Sequence, residues 1–404
     1  MSYTIRSDFP IFSSHPELIY LDSSATTQKP QYVIQWVSDY IKSDYATIWR
    51  GSCTLSDKSD ELYFKTKHLA WTLINAKYYE IFFGHNATHC INTIALSLKA
   101  SGIFKSWQEI ILSIAEHHAN ILIWQSIAKE CGVIIKRVWL DDQLQINMLE
   151  LKKLVNKQTI WVCLTLCSNV LGIKNNLSAV RSIVWPDCFI LLDWSQAVPH
   201  YKVDVQELDC DFLVWSAHKM LGFTGLWVGY IHSRHIKTMI PWLVWWGVVE
   251  SGNKAWFKFK TSIEKFEPWT PNIISIVSYY HALNYRMSIG GYTWWESYEQ
   301  ELWEYMITRC QTLPSDRTPI ISESNMIMSD RIGLLSFRYE NDKTSMTEMS
   351  DKLSQNKVCI RSWWHCARPL AHHLWLKNGS IRISSYIYTT KQDIDRFINI
   401  VHNI

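Results

Sequence analysis

The sequence predicts an α/β protein in which helices flank a mostly parallel β-sheet, followed by a smaller α+β region. Short apolar segments of strand character alternate with helical periodicity as far as residue 231, an order typical of a layered domain with a parallel sheet. The pattern is helical over residues 273–309, and strands and helices mix after it. Because 404 residues exceed one ordinary domain, we expect an N-terminal arm at 1–15, a large domain at 16–280 and a small domain at 281–404, which the arm joins.

Each element is predicted from its local pattern. In the large domain, strands are predicted at residues 18–22, 80–83, 109–114, 133–138, 159–166, 189–193, 211–214 and 226–231, and helices at 31–42 and 57–76. In the tail, strands are predicted at 331–339, 358–361 and 380–384, and helices at 345–355 and 392–402. Ser345 and Glu348 have the spacing of a capping box, which indicates a helix start.

Charge and composition exclude several classes of protein. The net charge is only +3 and no run of Lys or Arg occurs, which argues against a nucleic-acid partner. No apolar run approaches the ~18 residues of a membrane span, and the N-terminus lacks the apolar segment of a signal peptide. The ten Cys form no CxxC pairs, a usage typical of reduced cytoplasmic thiols rather than of a disulfide framework or a metal site.

The balance of Trp and Gly is unusual. The chain has 22 Trp and 14 Gly, although Gly ordinarily makes up about 7% of residues. Trp194 follows a predicted strand, and Trp245 and Trp246 precede Gly247, in places where a turn favours Gly. Two interpretations are open: an aromatic-rich core or surface, or UGA codons that the source organism reads as Gly and that are rendered here as Trp.

Two predicted strands end in residues that a pyridoxal phosphate (PLP) enzyme needs. Asp193 closes one strand and Gln196 follows it, while Ser216, His218 and Lys219 follow another. Such an enzyme requires a Lys for the Schiff base and an Asp against the pyridinium nitrogen. Neighbouring strand ends deliver both to one pocket. The alternative is a surface Lys after a strand, which the Ser-x-His-Lys context disfavours.

A candidate phosphate site lies between a predicted strand and the next helix. Gly84, Asn86, Ala87 and Thr88 occupy this connection. Free backbone N–H groups at a helix start, together with the Thr88 hydroxyl, suit an anion. From these residues alone, an ordinary N-cap is the favoured interpretation.

His117 follows the predicted strand at 109–114. An imidazole at a strand end is suited to stacking on a planar cofactor, and a purely structural His is the alternative.

A loop at 361–369 combines Arg361 with Cys366, and Arg382 lies further along the chain. Arg is a bidentate clamp for a carboxylate, and a Cys among cations is a good nucleophile. The alternative for Cys366 is a buried structural thiol.

Together these motifs resemble the group II (Suf-type) cysteine desulfurases, in the class V aminotransferase family of PLP enzymes. The resemblance extends along nearly the whole chain and implies the PLP-dependent transferase fold of type I. The motifs that carry it, in order, are at residues 20–22, 25–27, 50–51, 86–88, 116–120, 168–172, 193 with 196–197, 216–219, 222 with 224–225, 270–272 and 361–369.

The resemblance implies a role for each motif residue. Lys219 forms the Schiff base and moves protons, Asp193 pairs with the pyridinium nitrogen, and His117 stacks on the ring. Gln196 contacts the phenolic oxygen, and Cys366 attacks the substrate sulfur and carries the persulfide. The cofactor phosphate is held by Asn86, Ala87, Thr88, Ser216 and His218, with Thr270 reaching the phosphate of the other subunit. The substrate carboxylate is bound by Arg361 and Arg382, with Arg50 nearby and with Asn169, which also borders the cofactor.

The implied function is the conversion of L-cysteine to L-alanine, with sulfur supplied for iron–sulfur cluster assembly. The implied partners are a second copy of the chain and a small sulfur-acceptor protein of the Suf system. Other class V enzymes, such as a selenocysteine lyase or an aminotransferase, are the enzymatic alternatives. A catalytically inactive dimeric scaffold is the alternative outside enzymes, if the Trp residues are genuine.

The departures from the family pattern concentrate at Gly positions. The family usually has Gly where this chain has Trp107, Trp194, Trp227, Trp245, Trp246, Trp269 and Trp363, and Trp49 and Trp375 extend the set. Because the catalytic motifs are otherwise intact, we favour the interpretation that UGA encodes Gly in the source organism. Taken as written, Trp194 and Trp363 are expected to crowd the cofactor and the Cys366 loop.

Overall fold

The structure is a computed structural model that describes residues 5–49, 51–267, 270–314, 319–320, 330–338 and 345–404. The side chain of Trp246 also lies outside the description. Within these residues the helices are α1 (Pro10–Ser14), α2 (Gln31–Ser43), α3 (Thr54–Leu73), α4 (Ala87–Ala100), α5 (Ala119–Cys131), α6 (Met148–Leu154), α7 (Val180–Ile183), α8 (Val205–Leu208), α9 (Ser233–Ile236), α10 (Ile273–Ser288), α11 (Gly291–Cys310), α12 (Met346–Gln355), α13 (Arg368–His373) and α14 (Lys391–Asn403).

The strands complete the list of elements. They are β1 (Ile19–Tyr20), β2 (Ile81–Gly84), β3 (Glu109–Ser113), β4 (Ile134–Val138), β5 (Thr159–Thr165), β6 (Phe189–Asp193), β7 (Phe212–Ser216), β8 (Trp227–Ile231), β9 (Val249–Gly252), β10 (Phe257–Phe259), β11 (Leu334–Phe337), β12 (Val358–Cys359), β13 (Arg361–Trp363) and β14 (Ser380–Ser384). Short 3₁₀ turns occur at Ile5–Asp8, Tyr78–Glu80, Ala217–Lys219, Trp246–Val248 and Ile263–Phe266.

The central sheet has the order β2-β8-β7-β6-β5-β3-β4. The pairs from β7 through β4 are parallel, whereas β8 is antiparallel to both of its neighbours. Every residue of β2, β3, β7 and β8 is buried, and so is every residue of β6 except the half-buried Phe189. Such burial is expected for a sheet covered by helices on both faces. The predicted α/β fold with a mostly parallel sheet is therefore confirmed. Because β5, β6 and β7 run in the same direction, their carboxyl ends meet at one edge of the sheet.

The beginning of the chain is tied to its end. β1 pairs in parallel with β12, and Asp22 forms a bridge with Ser384 of β14. β14 is the middle strand of a separate three-stranded antiparallel sheet, between β11 and β13. The segment 21–29, which we name the strap, continues from β1 to the edge of the central sheet.

Two predicted elements are divided in the structure. The helical pattern at 273–309 forms two helices, because Gly290 has a φ of 103° and Gly291 a φ of 60°, values that end α10 before α11 begins. The predicted strand at 358–361 is also two strands: β12 pairs with β1, whereas β13 pairs with β14. Ser345 and Glu348 form the predicted capping box, so that α12 begins at Met346.

Three Trp residues have backbone conformations that favour Gly. The φ angles of Trp49, Trp363 and Trp375 are 65°, 90° and 58°, in the left-handed region. A side chain at such φ values is sterically disfavoured, and Gly is not. Trp194 and Trp227 do not have positive φ, so the conformational argument for Gly applies only to part of the predicted set.

We predict that Trp375→Gly stabilises the protein. The side chain of Trp375 is 81% exposed, so its removal costs little packing. Relief of the left-handed strain is expected to raise the free energy of unfolding by about 1 kcal/mol. Trp185→Gly is the control, because Trp185 is also exposed but has no positive φ. Chemical denaturation measures the free energy of unfolding of both variants. Equal destabilisation of the two variants would contradict the prediction.

Candidate active site

A cavity of about 210 Å³ lies at the carboxyl edge of the central sheet. Its wall combines residues from β5 and β6, from the turn after β7, from the start of α4, from the strap and from the antiparallel sheet. The residues that line it are Ser24, Ala25, Asn86, Ala87, Thr88, His117, Ala119, Thr165, Cys167, Asn169, Asp193, Ser195, Gln196, His218, Lys219, Trp227, Arg361, His365 and Arg382. Most of the predicted site residues are therefore brought together.

Asp193 and Lys219 enter this cavity from adjacent strand ends. Asp193 is the last residue of β6 and is buried, and its Oδ1 accepts hydrogen bonds from the backbone N–H of Ser195 at 3.0 Å and from the Ser195 hydroxyl at 2.6 Å. Lys219 ends the 3₁₀ turn that follows β7. The sheet register sets Asp193 beside Val214, so the two strand ends face one pocket.

The surroundings of Lys219 lower the pKa of its amine to about 8. The largest cause is removal from water, which disfavours the ammonium form. The carboxylate of Asp193 acts in the opposite direction, and the guanidinium groups of Arg382 and Arg361 lower the pKa further. An amine with this pKa is roughly one-tenth unprotonated at pH 7, far more than an ordinary Lys, and this fraction is a competent nucleophile.

Several buried polar atoms around the cavity have no partner among the described residues. They are the hydroxyl of Ser24, Oε1 of Gln196, the hydroxyl of Ser216 and Nδ1 of His218. Buried polar atoms are ordinarily satisfied, so a polar ligand is expected to complete them. Nearby, α4 begins at Ala87, where free N–H groups and the Thr88 side chain face the cavity. The Ser24 and Ser216 hydroxyls, Nδ1 of His218 and the free N–H groups of α4 are groups that fit the phosphate and phenolic oxygen of PLP, whereas Oε1 of Gln196 can only accept.

His117 lines the cavity in a defined neutral form. The backbone N–H of Ala119 donates to Nδ1 of His117 at 3.1 Å, so a neutral ring carries its proton on Nε2. Burial holds the pKa of His117 well below its ordinary value. A neutral imidazole suits stacking on a flat ring without adding a further cation.

Glu116, the residue before His117, anchors the loop that carries His117. The buried carboxylate of Glu116 accepts from the Ser113 hydroxyl at 2.5 Å, from the Thr165 backbone N–H at 2.6 Å and from Asn120 Nδ2 at 2.8 Å. Burial raises the pKa of Glu116 to about 8. Thr165 is paired with Asp193 in the sheet, so Glu116 ties the His117 loop to the same strand ends.

Two arginines face the cavity from the antiparallel sheet. Arg361 of β13 is directly opposite Arg382 of β14, which places both side chains on one face. Arg382 is buried, pairs with Asp22 Oδ1 at 3.0 Å and donates to the carbonyl of Asn169 at 2.9 Å. Asp22 thus compensates one of the two charges, and Arg361 remains available to an anionic substrate group.

The Cys366 loop is held by its backbone. The His118 backbone N–H donates to the Cys366 carbonyl at 2.7 Å, and Asn169 Nδ2 donates to the His365 carbonyl at 2.7 Å. His365 and Cys366 have φ angles of 48° and 56°, in the left-handed region. The half-buried thiol of Cys366 is absent from the described lining of the cavity, so the loop carries it at the margin of the site.

The strap supplies residues that the sequence analysis did not assign. The Thr27 hydroxyl donates to the carbonyl of His218 at 3.0 Å, and Lys29 Nζ donates to the same carbonyl at 3.1 Å. Ser24 accepts, through its carbonyl, a hydrogen bond from Gln196 Nε2 at 3.1 Å. In the sequence, only the motif at 20–27 pointed to this segment, because the residues that the strap contacts, His218 and Gln196, lie almost half of the chain further along. The strap therefore fixes the turn that ends in Lys219.

Not every predicted residue lines the cavity. Ser216, the buried last residue of β7, is absent from the lining, and Thr270 is exposed two residues before the N-cap of α10. The expectation that Trp194 crowds the cofactor is wrong, because its side chain packs in the apolar core and does not line the cavity. Trp363 is 51% exposed and likewise does not line it.

One Trp does border the site. Trp227 lines the cavity, and its ring centroid lies 5.7 Å from that of His218. A Gly at this position would enlarge the space around His218. Arg50 and Trp269 lie outside the described residues, and so does the side chain of Trp246.

We predict that the amine of Lys219 titrates near pH 8 in protein freed of bound small molecules. An amine-reactive reagent followed by peptide mass spectrometry measures the labelling rate of Lys219 against pH. Asp193→Asn is expected to move the midpoint below about 8, since the carboxylate stabilises the ammonium form. Lys152, which lies in α6 away from the cavity, is the internal control. A midpoint near the ordinary ~10.4 of a Lys would contradict this electrostatic picture.

Comparison with known proteins identifies relatives along the whole chain. The sequence profile of the class V aminotransferase family matches residues 19–397. A probable cysteine desulfurase of Synechocystis sp. is 33% identical over 407 residues, covering 98% of this chain and 94% of the relative. A cysteine desulfurase of Shigella sonnei is 31% identical over 403 residues, covering 98% of this chain and 96% of the relative.

Solved structures agree with these relatives. The apo cysteine desulfurase of Thermococcus onnurineus has a TM-score of 0.91 at 26% identity, covering 100% of this chain and 98% of that structure. The cysteine desulfurase CsdA of Escherichia coli, an S-sulfonic acid form, has a TM-score of 0.88 at 26% identity, covering 99% and 97%. The chain belongs to the class V aminotransferase family of PLP enzymes, as a homologue of the cysteine desulfurases.

Proposed function

We propose that this protein is a PLP-dependent cysteine desulfurase in which Lys219, Asp193 and Cys366 carry the reaction. The single observation that best supports the proposal is the convergence of Lys219, Asp193, Arg361 and Arg382 on one cavity. The net reaction converts L-cysteine and the Cys366 thiol into L-alanine and a Cys366 persulfide, which balances in atoms and electrons. The sequence similarity of full-length cysteine desulfurases supports this substrate.

The cofactor supplies an electron sink for the α carbon of the bound amino acid. Lys219 anchors it, and its lowered pKa of about 8 suits the amine to take and return a proton at the substrate α carbon. Asp193, held by Ser195, keeps the proton on the ring nitrogen. His117 would cover the ring as a neutral imidazole, and the second N–H of Gln196 Nε2, whose first donates to the Ser24 carbonyl, would be the donor to the phenolic oxygen.

The phosphate is assigned to the start of α4 and to the turn after β7. Asn86, Ala87 and Thr88 lie at the first of these, and Ser216 and His218 at the second. The unpartnered hydroxyl of Ser216 and Nδ1 of His218 support this assignment, because a phosphate oxygen supplies what each lacks.

The substrate carboxylate is assigned to Arg361 and Arg382, with Asn169 between the cofactor and the Cys366 loop. Arg382 is already paired with Asp22, so Arg361 is the more available partner. Asn169 binds the carbonyl of His365 and so links substrate position to the loop that carries the thiol. Arg50 keeps its assignment near the substrate as a proposal from the family resemblance.

A second subunit and a sulfur acceptor complete the proposal. Thr270 is exposed and away from its own cavity, which supports a role at the phosphate of the partner in a homodimer. Exposed aromatic side chains of α2 and α3, including Trp36 and Phe64, offer apolar surface for such an interface.

The persulfide on a half-exposed loop suits transfer to a small acceptor protein of the Suf system for iron–sulfur assembly in the cytoplasm. The arm at 1–15, large domain at 16–280 and small domain at 281–404 are proposed as the units of this assembly.

An aminotransferase, which needs no loop thiol, is the alternative that Cys366 distinguishes. Cys366→Ser is expected to bind PLP normally, because its backbone anchors remain, and to lose sulfur transfer to an acceptor by at least about 100-fold. The measurement is alanine formation and persulfide transfer, with a Suf-type acceptor added to both proteins. Cys53→Ser, at an exposed thiol away from the cavity, is the matched control. Persulfide transfer that survives Cys366→Ser would contradict the role of this thiol.

A further inference from the structure

A buried carboxylate joins three elements behind the phosphate end of the cavity. The Phe83 backbone N–H of β2 donates to Glu267 Oε1 at 2.7 Å, and the Tyr63 hydroxyl of α3 donates to Oε2. Lys67, one turn further along α3, forms an ion pair with Oε1 at 2.9 Å. The exposures of Tyr63, Lys67 and Glu267 are 0%, 3% and 2%, so this hub is removed from water.

Such a hub is a poor way to stabilise a fold. When two opposite charges are buried, their attraction barely offsets the free energy lost by removing them from water. Well-packed apolar residues of similar size stabilise a fold equally well. The loss of one partner alone is expensive, because it leaves an unpaired buried charge. The hub instead fixes position, because the hydrogen bonds from Phe83 and Tyr63 to Glu267 have a defined direction, whereas Lys67 contributes an ion pair without a hydrogen bond of good geometry.

The position that it fixes is that of the phosphate loop. β2 ends at Gly84, one residue after the Phe83 N–H that Glu267 holds, and Asn86 to Thr88 follow directly. A Cβ on Gly84 would lie 2.5 Å from the sulfur of Cys90, so β2 and α4 are in close contact at this point. A shift of Glu267 therefore displaces both the end of β2 and the start of α4.

In the sequence, Glu267 also lies close to Thr270, the residue proposed to bind the cofactor phosphate of the other subunit. Glu267 follows the 3₁₀ turn Ile263–Phe266, and Thr270 is three residues further on. Thr270 is exposed and does not line the cavity, and it is the residue assigned above to the phosphate of the partner subunit.

We propose that Glu267, held by Lys67 and Tyr63, is a positioning residue for the cofactor phosphate. It aligns the loop at 84–88 with the phosphate in its own subunit. The inference rests on the proposed function, because it takes the phosphate site from that assignment. It predicts that the contribution of the phosphate to cofactor affinity depends on Glu267.

The test compares PLP with pyridoxal, which lacks the phosphate. Holoenzyme is stripped of cofactor, and the Kd of each compound is measured by the visible absorption that forms on binding. Glu267→Gln keeps the shape and removes the counter-charge that pairs directly with Lys67, leaving the charge interaction of Lys67 with Glu264, and it is expected to raise the Kd of PLP by about tenfold. The Kd of pyridoxal is expected to change by less than about twofold, because Lys219 and Asp193 are untouched.

Matched variants exclude a general loss of structure. Glu61→Gln removes the exposed ion pair with Lys65 on the same helix and is expected to leave both Kd values unchanged. Lys67→Met with Glu267→Gln removes both charges and is expected to recover part of the PLP affinity. If Glu267→Gln does not fold, Tyr63→Phe deletes only one hydroxyl and is expected to raise the Kd of PLP selectively, to a smaller extent.

The outcomes separate this inference from the proposed function. Equal losses for PLP and pyridoxal, or no loss for either, would overturn the positioning role of Glu267. A wild-type protein that does not prefer PLP over pyridoxal would instead overturn the assigned phosphate site. Retention of the visible band by Glu267→Gln at saturating PLP shows that Lys219 still functions, so failure at Lys219 is recognised separately.

Discussion

The concentration of positive charge in one partly dehydrated cavity is the constraint on which the site depends. Lys219, Arg361 and Arg382 face the same space, and the two guanidinium groups raise the cost of protonating Lys219. Asp193 and Asp22 offset this cost from opposite sides. Burial and this balance of charges lower the pKa of Lys219 to about 8, so one pocket combines a nucleophilic amine with two guanidinium groups that can bind an anion.

The fold meets this constraint by bringing distant segments to one edge. Parallel strands deliver Asp193 and the Lys219 turn side by side, and the antiparallel sheet delivers the arginines from the other side. The strap joins the two: Asp22 binds Arg382, while Thr27 and Lys29 bind the carbonyl of His218. The strap therefore contacts both the antiparallel sheet and the turn that carries Lys219.

The sequence was sufficient where chemistry follows a local pattern. Asp193 and Lys219 come directly after apolar strands, and parallel strands end at one edge, so their convergence was predictable. The hub at Glu267 was not, because Tyr63 lies 204 residues earlier and a buried carboxylate has no sequence pattern of its own. Trp194 shows the limit of analogy: its place in a motif predicted contact with the cofactor, but its ring packs into the core. The division of the 273–309 helix depended on the φ angles of two adjacent Gly residues, which periodicity does not reveal.

The most direct test of this account asks which amine binds PLP. Lys29 is the natural competitor, because burial lowers its pKa to about 7 and it lies against the carbonyl of His218. Borohydride reduction of the PLP-loaded enzyme fixes the cofactor to the amine that holds it, and peptide mapping then identifies that residue. The account predicts the pyridoxyl group on Lys219 alone, with Lys29 unmodified. A pyridoxyl group on Lys29, or one spread over several lysines, would contradict it.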